Sequence, residues 1–403
     1  MDQDAESFKR KPKMKIIHYT DDYKKRWNDF VMNSPEGSIY HLSGWRDVIE
    51  KSYSHKSYYL LAEDDGKLKG ILPLFLVKSQ IFGNSLVSLP FVDLAGLCSE
   101  GNLIQKQEIS LHTPHPNPPK GEELPRFPPP LMGGGKGEGD YVNLFDSFAK
   151  VEMALLEEAC KIASDEGVDY LELRQRNACN LNLKTKTDKV TLSLNLDDDP
   201  QKLWKKLPPE RRNRIRKTEK LGLSTEFAGK EALDSFYRIF AVNMRDLGSP
   251  VHSRSFFKNI LEEFPKNSQL ILVKHDQNYI GAALGLFFKD TFTIPWVSSL
   301  RKYFSLYPNN SLYWEAMKFA CSGGLKIFDF GRSSVGSGTF TFKVRWGAKP
   351  QPLYWQYQLF KKKKLPGLSA DNPKYGTAIK LWKCLPVPIT KLIGPKIRKY
   401  ITA

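Results

Sequence analysis

Cysteine is scarce in this chain: five residues (Cys98, Cys160, Cys179, Cys321, Cys384) in 403. The number is odd, the spacing is wide and no C-x-x-C occurs, so neither a disulfide framework nor a Cys-ligated zinc site is indicated. That usage fits a reducing cytoplasm. Long apolar runs are also missing. Stretches such as 280–288 fall far short of the ~20 residues that a membrane span needs. The opening segment, MDQDAESFKRKPKMK, has no apolar h-region, so no secretory signal is expected. The seven histidines (18, 41, 55, 112, 115, 252, 275) share no metal-ligand spacing. There is no G-x-x-x-x-G-K-[ST], G-x-S-x-G, H-E-x-x-H or strand-turn-helix G-x-G-x-x-G. Together these absences argue against P-loop nucleotide hydrolysis, α/β-hydrolase chemistry, zinc proteolysis and a resident metal or bound cofactor.

Positive charge is abundant, at a formal net +17, and unevenly placed. From Lys361 onward there are eleven Lys/Arg and one Asp, and Lys205–Lys220 holds eight Lys/Arg against two Glu. Patches of this kind attract phosphate, on RNA, anionic lipid or a nucleotide, although a solvated helix face plus a loose tail is the ordinary reading. In the tail (361–403), Leu381, Trp382, Leu385, Ile389 and Leu392 alternate with Lys, a mixture suited to the surface of an anionic membrane. Its prolines argue against one long helix. The 29 residues 111–139 contain eight Pro and six Gly. They have too little apolar surface to order themselves, and are expected to be a disordered insertion. Residues 1–13 are expected to be disordered too.

Without the insertion, the chain repeats itself faintly. YYLLAEDDGKLKGILPLFLV (58–77) and QLILVKHDQNYIGAALGLFF (269–288) both read as strand, polar turn, strand. Helix and strand then follow in each half, at 154–176 and 314–334, with Gly closing each helix and with Glu172 and Asp329 at matching strand positions. The predicted class is mixed α/β (α+β): two tandem units with mixed, mostly antiparallel sheets, at 14–196 and 197–360. A junction at 196–200 (LDDDP) lets Asp199 cap a helix over 200–221, with further helices near 231–247 and 254–264.

The densest chemistry lies between Ile294 and Trp355, where aromatics alternate with Arg, Lys, Asn, Ser and Gly. A ligand cleft has that composition, and so has an aromatic core with glycine turns. Trp296, Ser298, Arg301, Asn309, Asn310, Tyr313 and Trp314 are its first candidate substrate-binding residues. Phe330, Gly331, Arg332, Phe342 and Trp346 are the others. Asp329, at a strand end, can accept a proton from a reacting amine or simply hold Arg332. Lys343 falls in a strand pattern, where it can stabilise a developing oxyanion or sit as an edge lysine. Gly331, Gly336 and Gly338 form a loop that lets backbone N–H groups approach a ligand. Arg216 and Lys217 are further candidates for phosphate contacts.

Several blocks carry a resemblance. They include YHLSGW (40–45), GILPLFLVKSQIFGNSLVSLPF (70–91), ERRNRIRKTEKLGL (210–223) and NMRDLGSPVHS (243–253). PWVSSLRKYFSLYPNNSLYWEAMKFAC (295–321), FDFGRSS (328–334) and GTFTFKVRWGA (338–348) complete them. In these blocks the chain resembles the FemAB family, and more narrowly the FemAB-related proteins associated with PEP-CTERM/exosortase and exopolysaccharide systems (BioF2-like). The resemblance implies two tandem GNAT-like acyltransferase domains. It implies transfer of an acyl or aminoacyl group from aminoacyl-tRNA or acyl-CoA onto an amine of a small-molecule, glycan or peptide acceptor. Phe342-Lys343 matches a family Phe-Lys pair, which assigns Lys343 to the tetrahedral intermediate and makes it, with Asp329, a catalytic candidate. Work at the cytoplasmic face of the inner membrane, with tRNA as a partner, is also implied. One departure is plain: where many GNAT enzymes have the pyrophosphate turn [RQ]-x-x-G-x-[GA], this chain has Tyr307-Pro308-Asn309-Asn310-Ser311.

Overall fold

The computed structural model describes residues 14–100, 140–179, 181–366 and 376–402. The expected disordered N-terminus (1–13) and Pro/Gly-rich insertion (111–139) lie outside the described residues. The first half runs Lys15–His18 (β1), Lys24–Asn33 (α1), Gly44–Tyr53 (α2), Lys56–Asp64 (β2) and Lys67–Ser79 (β3). It continues through Gly83–Val87 (β4), Cys98–Ser99 (β5), Asp140–Asp165 (α3), Tyr170–Gln175 (β6), Lys184–Lys186 (β7) and Lys189–Asn195 (β8). The β2–β3 hairpin closes on Asp65-Gly66, both left-handed (φ 48° and 74°), the conformation whose twist suits a two-residue hairpin.

Next come Pro200–Lys206 (α4), Pro209–Lys220 (α5), Leu223–Ala228 (β9), Leu233–Leu247 (α6) and Arg254–Glu263 (α7). A single helix over 200–221 was the expectation, and the structure has two. Leu207 is extended (ψ 141°) because a proline follows it, and Pro209 restarts the helix where its missing N–H costs nothing. Asp199 does cap α4, accepting from the Gln201 N–H at 2.9 Å. The second half goes on with Ser268–His275 (β10), Asn278–Phe288 (β11), Thr291–Ser299 (β12), Pro308–Ser322 (α8) and Ile327–Ser334 (β13). It finishes with Gly338–Val344 (α9), Lys349–Pro352 (β14), Tyr354–Leu359 (β15), Gly376–Cys384 (α10) and Val387–Arg398 (α11).

Two sheets result, ordered β1-β2-β3-β4-β6-β15-β7 (with β5 on β3) and β14-β8-β13-β12-β11-β10-β9. Among the described residues only β4–β6 and β12–β13 pair in parallel. The predicted repeat is present to the residue: Val87–Glu172 and Thr293–Asp329 are each the last pair of their parallel ladder. A division of the chain at 196/197 does not separate the sheets, however. β8 precedes that point yet pairs with β13 and β14, and β15 follows it yet pairs with β6 and β7. Each sheet borrows a strand from the other half.

The cores follow the same logic. One lies between the first sheet and α3 (Leu72, Leu155, Leu171) and another between the second sheet and α8 (Phe292, Met317, Phe328). The third is shared: Trp45, Phe75, Phe236, Phe257, Trp296 and Trp355 from both halves form one cluster. In the second sheet Gly285 permits the closest approach. A Cβ there would meet the Phe292 ring at 2.2 Å. Gly285→Ala is therefore expected to lower stability by about 1–3 kcal/mol through overpacking, read from the denaturant midpoint at unchanged slope.

The described part of the basic tail at 376–402 is not loose. α10 and α11 pack on α6, burying Trp382, Thr390 and Gly394. The chain end then enters the junction between the sheets. The Thr402 carbonyl accepts from the Phe91 N–H at 3.0 Å and from Arg174 at 2.9 Å, and Arg398 Nε contacts His252 Nε2 at 3.0 Å. No helix of the described residues is long and apolar enough to cross a membrane.

Candidate active site

A wedge opens where the β12–β13 ladder stops. The pairing ends at Thr293–Asp329 because Pro295 has no N–H to extend it and Gly331 turns the chain with φ 73°. A Cβ at Gly331 would lie 3.2 Å from the Ile294 carbonyl, so only glycine lets the strands approach there. In the first sheet the residue at the matching place, two beyond Glu172, is Arg174. Its side chain fills that position, bonding Glu172, the Val92 carbonyl and the Thr402 carbonyl. The two wedges thus differ: one is plugged by a buried guanidinium, and the other carries a glycine.

Lys343 closes the second wedge. It was expected on a strand, but it lies in the last turn of α9, a short helix capped by Ser337, whose hydroxyl accepts from the Phe340 N–H. Alternating Phe342-Lys343-Val344 mimics a strand, while the Ser337 cap and the Gly347 turn after it dictate a helix. The Lys343 Nζ is buried and donates to the carbonyls of Gly331 and Arg332, both at 2.9 Å. Two of its three donors are engaged, which leaves one. Burial depresses its pKa to about 8; Asp329 and Asp93 oppose that shift and Arg332 adds to it.

Asp329 lies inside β13 rather than at its end. Its Oδ1 accepts from Thr191 Oγ1 at 2.6 Å and from the Gly331 N–H at 2.8 Å. Burial raises its pKa, against those hydrogen bonds and the charges of Arg176 and Lys343. It does not hold Arg332. That role belongs to Asp93, at 3.1 Å from Arg332 Nε, a residue of the first half that the sequence reading passed over. Arg332 also lies over the Trp355 ring (5.1 Å), with Arg174 over the same ring at 4.3 Å. Tyr40 completes the group. Its hydroxyl is buried without a hydrogen-bond partner, and its pKa is driven well up by burial and by Asp93 and Asp329. Tyr40 stands inside the YHLSGW block and Arg211 inside ERRNRIRKTEKLGL, so both could have been singled out. Asp93 and Thr191 had no such signal.

The remaining candidates divide into groups. Tyr313, Phe330, Phe342 and Trp346 pack together (Tyr313–Phe330 centroids 5.1 Å, Tyr313–Phe342 5.6 Å) and are an aromatic core behind the wedge, not a lined cleft. Asn309 and Asn310 start α8. Asn309 Oδ1 accepts from Ser299 Oγ, and Asn310 Oδ1 accepts from the buried Arg211 at 3.2 Å. Arg214 and Lys217 of α5 stack on the ring of Tyr307 at the same helix start (5.2 and 5.0 Å), while Arg216 covers Trp204. Trp296 belongs to the shared core against Phe256 and Phe257, and Trp314 packs on Trp204. Ser298 Oγ accepts from Asn243, and Arg301 is exposed. These last four are not brought to Lys343 by any contact. Gly336 and Gly338 lie in the turn and the helix start that lead to Lys343.

Comparison with known proteins bears on the fold. Residues 210–344 match the acetyltransferase (GNAT) domain family. The fold is similar to the crystal structure of FemX, with TM-score 0.61 and 15% identity over 86% of this chain and 98% of that one. It is also similar to a conserved protein of unknown function from Bacteroides thetaiotaomicron VPI-5482 (TM-score 0.51, 9% identity, 86% of this chain and 100% of that one). No curated protein matches the chain. The architecture is a tandem pair of GNAT-like units, as the resemblance implied.

Proposed function

We propose that this chain, an acyltransferase by its GNAT domain, moves an aminoacyl group from an activated ester onto an amine of a cell-envelope or exopolysaccharide-related acceptor. The observation that carries this reading is the buried ammonium of Lys343, held by two carbonyls beside Asp329 in the wedge that follows the β12–β13 ladder. The acceptor nitrogen attacks the carbonyl carbon and forms the new C–N bond. The charge that appears on oxygen meets the free donor of Lys343, a preorganised cation in a site of low polarity. Asp329, whose Oδ2 is unused, takes the proton from nitrogen. The ester C–O bond then breaks, and the proton passes to the leaving hydroxyl. Positioning supplies much of the rate, because an amine attacking an activated ester needs little covalent help.

Two features favour an aminoacyl-tRNA donor over acyl-CoA. The α8 start offers a pyrophosphate no glycine cradle: Pro308 has no N–H, and the Asn310 N–H is spent on the Tyr307 carbonyl at 2.8 Å. The basic face of α5 packs instead at that same start, a surface fitted to a phosphate backbone. Filter binding of aminoacylated against deacylated tRNA over a salt series tests the reading. A preference for the charged form that survives high salt is expected. Equal binding that fades with salt removes tRNA as donor and leaves acyl-CoA.

A further inference from the structure

The helices α10 and α11 contribute none of the residues placed beside Lys343. On α11 the buried residues Thr390 and Gly394 look toward α6, and a Cβ at Gly394 would meet Val251 at 3.0 Å. The opposite side of this helix presents Pro388, Ile389, Leu392 and Lys396 to solvent. Leu392 is 69% exposed, and Leu381 on neighbouring α10 is 66% exposed. Leu247, also exposed, precedes Gly248, which abuts Ile379 and Lys383 of α10. Large aliphatic side chains standing free in water on α10, on α11 and at the end of the α6 they pack against mark an interaction surface.

The charge around them has one sign. Between residues 376 and 403 there are six Lys/Arg and no Asp or Glu. On the flank of α11 an open pocket of about 620 Å³ lies between α6, α7 and α11. Arg238, Arg254 and Lys391 line it, with Tyr237 as its floor. The carboxylate in its wall, Asp234, is engaged by Arg254 at 2.6 Å, which leaves Arg238 and Lys391 available. A polyanionic strand would want cations without leucines between them. Exposed leucines spaced among lysines suit the boundary between phosphate headgroups and acyl chains.

We propose that this face docks on an anionic phospholipid bilayer, with a lipid phosphate in the Arg238–Lys391 pocket and Leu381 and Leu392 in the interfacial layer. The inference does not rest on the acyl-transfer reading. Because Thr402 and Arg398 bond into the junction between the sheets, the whole chain with point substitutions has to be used, not a truncation.

The experiment is flotation of the full chain with vesicles of phosphatidylcholine, or of an equimolar mixture with phosphatidylglycerol. The wild type is expected to float only with the anionic mixture. Each cation near the surface is worth about five-fold, so Lys391→Gln with Lys396→Gln should weaken partition roughly 25-fold. Leu381→Asn with Leu392→Asn leaves the charge unchanged and should weaken it at least about ten-fold, through lost apolar burial. All four positions are exposed, so both variants should keep the wild-type melting curve. Wild-type flotation by the leucine variant overturns the proposal, as does a wild type that stays at the bottom of the gradient. Displacement from anionic vesicles by inorganic phosphate alone makes the pocket a site for free phosphate and likewise overturns it. So does loss of tRNA binding by the lysine variant with its flotation unchanged.

Discussion

Replacing Lys343 with Met should reduce turnover by on the order of 10²–10³-fold while the fold survives, since one preorganised donor at a developing oxyanion contributes that much. The stability measurement separates a chemical role from a structural one. The Lys343 pKa is depressed to about 8 in the folded chain and is close to 10.5 in the unfolded chain. Between those values the unfolded chain binds more protons, so stability rises with pH across that window. Below it the buried ammonium carries a standing cost on the order of 3 kcal/mol, at 1.36 kcal/mol per unit. Lys343→Met removes that cost together with the two hydrogen bonds to Gly331 and Arg332. Its melting temperature at neutral pH should therefore hold or rise, and the pH-dependent gain should vanish. In the wild type, kcat/KM should fall as pH climbs through about 8, where the cation is lost. Lys343→Arg should show no such alkaline limb, since a guanidinium keeps its charge. Undiminished turnover in the Met variant would remove Lys343 from the chemistry.

Arg174 should prove the most costly side chain to truncate. It is fully buried, pairs with a Glu172 that is itself 4% exposed at 2.7 Å, and ties in both the Val92 and Thr402 carbonyls. Arg174→Met leaves the Glu172 carboxylate and the Val92 carbonyl without their partner in the interior, and takes one of two donors from the Thr402 carbonyl. A loss of about 3–5 kcal/mol is expected, measured by denaturant unfolding. The double variant Arg174→Met with Glu172→Leu should recover part of that loss, because the stranded charge goes with its partner. A single variant within about 1 kcal/mol of wild type would show that water reaches Glu172 and that the junction between the sheets is looser than its packing indicates.

Much of this architecture was legible in the residues. Alternating apolar pattern, the Asp65-Gly66 turn and the Gly-closed helices were enough for both hairpins and for the equivalence of Glu172 and Asp329. Local signals ran out where the chain pairs at long range. Nothing in the composition of 189–195 or 354–359 says which sheet each strand joins, because a strand's partner is set by tertiary packing rather than by its own pattern. The candidate site was half legible. Lys343, Asp329, Gly331 and Arg332 do meet. Tyr313, Phe330 and Trp346 look like ligand-facing aromatics in sequence and are core in space. Asp93, Thr191 and Tyr40 come from distant segments and were invisible as a group. The helix around Lys343 was missed because seven residues are too few for periodicity to tell helix from strand.

The exchanged strands bear on how this protein is made. As the chain leaves the ribosome, β6 waits with one edge bare until β15 arrives, after nearly all of the second unit has been synthesised. A nascent sheet with an open edge invites pairing with another chain. The last residues, which must still reach Arg174, emerge later again. Expression should therefore be sensitive to translation speed and to chaperone supply, and neither half, produced alone, should be a soluble protein.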